Sequence, residues 1–130
     1  MPKTVLAVDT STENLRLYVA CFRNSAYRLI TTPRPIDAFN ETDARAKSRE
    51  TIDLLITHLE ISGTLGSIDL IRNVRVVSPQ TRFMLCGDEE ESNRLISSLR
   101  NEGIEVRYLP RAYLENADKL IDEVKSLIDE

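Results

Sequence analysis

Two kinds of hydrophobic pattern alternate along the whole chain. Thr4-Val5-Leu6-Ala7-Val8 is a short, β-branched apolar run, as expected of a strand buried on both faces. Asp9-Thr10-Ser11-Thr12 follows and offers several helix caps. Leu15, Tyr18, Val19 and Phe22 then recur at i, i+3, i+4 and i+7, one helical stripe. Tyr27 to Thr31 predicts a second strand, after which Pro33 and Pro35 hold the chain extended or turning. The polar stretch near Asp37 to Arg49 reads as a helix with an irregular start.

The same alternation continues. Ile52 to Leu59 predicts a third strand and Ile61 to Gly66 a loop. Ile68, Leu70, Ile71, Val74 and Val77 mark a helix that must stop before Pro79. Phe83 to Cys86 is a fourth short strand, ended by Gly87. The acids Asp88 to Glu91 open a helix, where its macrodipole favours negative charge. That helix carries Leu95, Ile96 and Leu99 and ends near Gly103, a natural left-handed cap. Ile104, Val106 and Tyr108 alternate with Glu105 and Arg107, and the half-polar face suits a sheet edge. Leu114, Ala117, Ile121, Val124 and Ile128 step by three and four along a last helix.

Strands and helices in strict alternation form an α/β fold, a doubly wound parallel sheet with right-handed crossovers. In such sheets ligands bind beyond the carboxyl ends of the strands. The residues at those ends are Asp9 and Thr10, His58, Cys86 and Gly87, and Arg111.

Composition narrows the function classes. At 130 residues the chain is expected to be a single domain, 1–130, with apolar residues at 42% and charged residues at 29%, a globular mixture. Lys and Arg number 17 against 21 Asp and Glu, a net charge of −4, and no basic tract stands out. Autonomous nucleic-acid binding is thereby disfavoured. No apolar run is long enough to span a membrane, and the amino-terminal stretch, which reaches Asp9 early, is no secretory signal. Cys21 and Cys86 make no disulfide framework, so a reduced, cytoplasmic setting is expected.

Three stretches carry a resemblance. Lys3-Thr4-Val5-Leu6-Ala7-Val8-Asp9, Ile52-Asp53-Leu54-Leu55-Ile56-Thr57-His58-Leu59, and Gly103 to Arg111 with Tyr108, in this order and spacing, are similar to bacterial response-regulator receiver domains. Gly66, eight residues after His58, falls where that family has its glycine. The resemblance implies a flavodoxin-like, five-stranded sheet of order 2-1-3-4-5 and a place in two-component phosphorelay signalling. It also implies a site for phosphoryl transfer onto an aspartate. Such a site needs an acceptor carboxylate, two further acids that hold Mg²⁺, a Ser or Thr, and a Lys. Here His58 takes the acceptor position, Thr10 stands for the second acid, Cys86 for the Ser or Thr, and Arg111 for the Lys. Ala112 replaces the following proline, so a trans bond is expected after Arg111. Among these chemical residues only Asp9 is unchanged. Mg²⁺ wants hard oxygen ligands, so the resemblance is to a degenerate pseudo-receiver with no cofactor, no metal and no enzymatic role.

Each residue also has a structural reading. His58 is expected to be a hydrogen-bonded pocket histidine; a pH-responsive group, a phosphohistidine or a soft-metal ligand beside Cys86 and Asp9 are the alternatives. Asp9 is expected to balance Arg111 or His58, and Cys86 to pack as a small hydrophobe. Tyr108 occupies the position of the family's switch aromatic. The expected function is a phosphorylation-independent interaction module whose partner is another signalling protein. A weak, salt-sensitive homodimer is expected through the fourth helix, fifth strand and fifth helix, against a monomer with a solvated charged face. The alternative function is a flavodoxin-like binder of a small ligand or nucleotide, with Asp9 to Asn14 as a phosphate-cradling loop.

Overall fold

The strands and helices follow the hydrophobic pattern closely. In the computed structural model, which describes residues 2–59 and 66–129, the strands are β1 (Thr4–Val8), β2 (Arg28–Thr32), β3 (Leu54–His58), β4 (Arg82–Cys86) and β5 (Val106–Leu109). The helices are α1 (Thr12–Phe22), α2 (Pro35–Lys47), α3 (Ser67–Val77), α4 (Glu89–Asn101) and α5 (Ala117–Ile128), with a 3₁₀ turn over Arg111–Glu115. The strands form one parallel sheet of order β2-β1-β3-β4-β5. The alternation predicted the doubly wound parallel sheet, and the order is the flavodoxin-like one that the resemblance implied.

Two apolar layers hold the sheet. On one face Leu6, Val8, Leu55, Phe83, Leu85 and Val106 pack against α2, α3 and α4. On the other, Val5, Ala7, Leu54, Ile56, Met84 and Leu109 pack against α1 and α5. β1 is buried along its whole length, and every residue of β3 from Leu54 to Thr57 is fully buried. A strand apolar on both faces needs cover on both, and that requirement puts the helices in two layers. Among the described residues, no helix is long and apolar enough to cross a membrane.

Several details differ from the sequence pattern. Val19 is 46% exposed and Asn14 is buried instead, while Cys21 packs in the core. The helix is rolled so that Asn14 can bond Asp9 and Cys21 can donate to the Leu114 carbonyl. The last stripe is Leu120, Val124 and Leu127, with Ile121 and Ile128 only half-buried and Ala117 exposed. Asn116 restarts the helix by accepting the Lys119 N–H, which cuts Leu114 off into the 3₁₀ turn. β2 lies one residue later than expected, and Ile52 is buried ahead of β3 rather than within it. α2 begins at Pro35, where a missing N–H costs nothing. Of the expected 61–66 loop, only Gly66 lies within the described residues, immediately before α3.

Two helices end in the same hydrogen-bonded motif with different residues at its left-handed position. After α4, Gly103 (φ 82°) donates to Arg100 and Ile104 to Leu99, while Ile104 and Leu99 share one apolar cluster. After α2, Arg49 donates to Ala46 and Glu50 to Arg45, and Arg49 adopts φ 61°. A side chain in that conformation costs about 1–2 kcal/mol, so α2 ends under strain and α4 does not. A Cβ on Gly103 would meet nothing within 4 Å. The expected cost of Gly103→Ala is therefore the backbone term alone, about 1 kcal/mol, read as a lower urea midpoint with an unchanged m-value.

Candidate functional site

The carboxyl ends of the strands open into a cleft of about 590 Å³ lined by Asp9, Thr10, His58, Gly87, Asp88 and Arg111, with Ser11, Glu13 and Asn14 along one wall. Parallel strands place their following residues at one edge, so four separated sequence positions converge there. His58 ends β3 and is half-buried, while Thr10 is exposed on the loop before α1. Arg111 opens the 3₁₀ turn, with its guanidinium 4.0 Å from the Glu115 carboxylate. All peptide bonds among the described residues are trans, including the one after Arg111.

Asp9 is 2% exposed, and each oxygen of its carboxylate accepts one hydrogen bond. One oxygen accepts the Ser11 backbone N–H at 2.8 Å, and the other accepts the Asn14 side-chain amide at 2.9 Å. Ser11 in turn caps α1 by accepting the Asn14 N–H at 3.1 Å. Asp9 was expected to balance Arg111 or His58; its hydrogen bonds come from neutral amide donors, and Arg111 pairs with Glu115. The same bonds use N–H groups that a phosphate would need from this loop. They weigh against the phosphate-cradling alternative.

Cys86 does not line the cleft. It is fully buried on the α1 and α5 side of the sheet, in the same apolar cluster as Tyr18. Burial pushes its thiol up to about 12, with the Asp9 charge adding to the rise and the Arg111 charge opposing it. Burial likewise raises the Tyr18 phenol well above its ordinary range, helped by Cys86 and Asp9. A thiol held protonated is a poor nucleophile. The expectation that Cys86 packs as a small hydrophobe thus has a physical basis.

Tyr108 stands at the rim. Its hydroxyl donates to the Gly87 carbonyl at 2.9 Å, and its ring packs against the core over α4. Gly87 has φ 147°, and a Cβ there would stand 2.6 Å from the Leu59 Cβ. Only glycine lets the chain turn from β4 past Leu59 while aiming its carbonyl at Tyr108. Ser11 and Asn14 were anticipated only within the phosphate-cradling loop, not as partners of Asp9, and Tyr18 was not anticipated as part of the site. The Asp-x-Ser and Ser-x-x-Asn spacings were the legible signals for the first two; Tyr18 read only as a core position.

Magnesium does not fit this arrangement. Both Asp9 oxygens accept hydrogen bonds, Thr10 offers an exposed hydroxyl and His58 an imidazole. A hard, octahedral cation selects carboxylate, carbonyl and water oxygens. Among the described residues, no three His, Cys, Asp or Glu side chains converge as a metal-binding group.

Comparison with solved structures places the fold among receiver domains. The chain is similar to the signal receiver domain of an HD domain-containing protein from Pseudomonas fluorescens, with a TM-score of 0.79 at 22% identity over 99% of this chain and 96% of that one. A response regulator from Thermotoga maritima matches with a TM-score of 0.76 at 21% identity over 100% of both chains. Chemotaxis protein CheY4 of Vibrio cholerae matches with a TM-score of 0.75 at 17% identity over 98% of this chain and 99% of that one. No family model and no curated protein matches the chain.

The buried thiol has a consequence for stability. The folded state keeps Cys86 protonated to about 12, whereas an unfolded thiol ionises near its ordinary 9.0. Stability is full below pH 9 and falls as pH rises toward 12, because only the unfolded chain releases the proton. Denaturant midpoints measured from pH 8 to 11 should fall, and the fall should be shallower in Cys86→Ser. Equal slopes in the two proteins would show that Cys86 is not the group responsible.

Proposed function

We propose that this chain is a receiver-like signalling module that works through protein contacts without aspartyl phosphorylation. The observation that carries the reading is the state of Asp9, the one acid matching the receiver pattern. Its carboxylate is buried and held by Ser11 and Asn14, with an imidazole at the acceptor position and a hydroxyl in place of its partner acid. The fold shared with receiver domains supports a role in signal transduction. In this reading Asp9, Thr10, His58, Cys86 and Arg111 are a remodelled phosphoacceptor pocket. Its polar groups brace the β1–α1 loop instead of holding a metal and a phosphoryl group. Tyr108, tied to Gly87, keeps the α4 side in one arrangement. The partner is another signalling protein, and the module has no enzymatic activity of its own.

Phosphoryl uptake tests the chemistry. Incubation with acetyl phosphate and Mg²⁺ should leave the intact mass unchanged, and beryllofluoride should cause no resonance shifts. His58→Asp should gain only slow, partial phosphorylation, because Thr10 still stands where a second acid is needed. A phosphoryl group localised to this pocket in the unaltered chain would overturn the reading.

Contact with a second copy is the second arm. The face made by α4, β5 and α5 exposes Arg94, Ser98 and Asn101 on α4 and Glu115, Asp118, Lys119 and Asp122 beyond β5. Arg107, the central cation of that face, is engaged within the chain by Glu123 at 3.6 Å and by the Ser126 hydroxyl. Arg94 makes no ion pair among the described residues and is the better probe. Exposed pairs contribute about 0–1 kcal/mol each. Sedimentation should show a weak dimer at low salt that high salt or Arg94→Glu dissolves. A monomer under every condition would remove this face as a self-interface.

A further inference from the structure

The opposite end of the sheet, where the strands begin, carries a second cleft of about 300 Å³. Its charged lining is Lys3, Arg28, Arg45, Arg49, Glu50 and Asp53, four cations against two acids on a chain of net charge −4. We propose that this cleft binds a compact divalent oxyanion of the phosphate class between Arg28 and Arg49.

The cations are not equivalent. Lys3 is committed to Asp129 at 2.9 Å and to the Ile128 carbonyl. Arg45 is committed to Glu41 at 3.0 Å and to Glu50 at 3.7 Å. Asp53 accepts the Thr4 N–H at 2.8 Å. Arg28 and Arg49 make no ion pair among the described residues, although both line the cleft beside these acids. Two uncommitted guanidiniums match the charge and the planar, bidentate geometry of one tetrahedral dianion. Glu50 and Asp53 share the lining of the cleft with them, and those acids would repel a long polyanion.

Arg49 supplies an independent argument. It occupies the left-handed position of the α2 terminus, at φ 61°, where the same motif after α4 has glycine. The helix dipole favours a cation near a carboxyl end, but Arg45 and Lys47 already fill the last turn. The dipole therefore leaves unexplained why an arginine holds the one left-handed position not taken by glycine among the described residues. A non-glycine residue held in the left-handed region is the kind of backbone outlier from which a role for its side chain can be inferred. Arg28, across the cleft, is fixed at the first position of β2 in register with Thr4.

The test is an amide-resonance titration of the ¹⁵N-labelled chain with sodium phosphate at pH 7, at ionic strength held constant with sodium chloride. Saturable shifts are expected at Arg28, Arg49 and Thr51 with a low-millimolar midpoint, and sodium sulfate should reproduce them. Arg28→Ala and Arg49→Gly should each weaken binding about tenfold or more. Arg49→Gly should also raise the phosphate-free Tm by about 4 °C, so its loss of binding is not a loss of fold. The proposal fails if the shifts rise linearly without saturating, if they centre on Asp9 and Gly87 at the other cleft, or if both variants bind as tightly as the unaltered chain.

Discussion

Burial of β1 and β3 on both faces is the constraint from which the rest of the architecture follows. Val5 to Val8 and Leu54 to Thr57 have no exposed surface. At roughly 25 cal/mol per Å² of apolar surface removed from water, such strands are stable only between two helical layers. Parallel neighbours can be joined only by crossovers, so each strand hands its chain to the same edge of the sheet. The cleft at the carboxyl edge and the basic cleft at the amino edge are both products of that connectivity.

What the carboxyl-edge cleft contains is decided by hydrogen bonding. Asp9 is too buried to remain a free carboxylate without partners, and Ser11 and Asn14 supply them from the first turn of α1. That exchange converts an acid at a ligand position into a brace between β1 and α1. Tyr18 and Cys86, both neutral, share one apolar cluster. Thr57 and Ser92 are buried on the sheet and on α4, and their hydroxyl oxygens meet no hydrogen-bond partner among the described residues. Asp88, which caps α4 through the Glu91 N–H, and Arg111, drawn to Glu115, complete a rim whose charges are largely spent on the protein itself.

Much of this was legible in the residues. The five strands, the sheet order implied by the receiver resemblance, the edge position of β5 and the glycine after α4 all match the structure. The convergence of Asp9, Thr10, His58 and Arg111 on one cleft was legible as well, because strand ends share an edge whatever the side chains are. The misses in helix packing are of one kind. Val19 and Ala117 read as inward because spacing reports a helix's period but not its roll. The roll of α1 was set by Asn14 reaching Asp9, and that of α5 by Asn116 opening a new helix.

The sequence by itself determined the alternation, the two apolar layers and the residue types available at each strand end, since these depend on local pattern and chain connectivity. It also determined the chemistry missing from the receiver pattern, because an imidazole at position 58 and a hydroxyl at position 10 are facts of composition. Only the tertiary structure decided how the remaining charges are used. Asp9 bonds amides instead of Arg111, Arg107 is engaged by Glu123, and Cys86 lies in the apolar layer instead of within the cleft. Those outcomes depend on distances of a few ångströms between elements far apart in the chain, and neither spacing nor propensity encodes them.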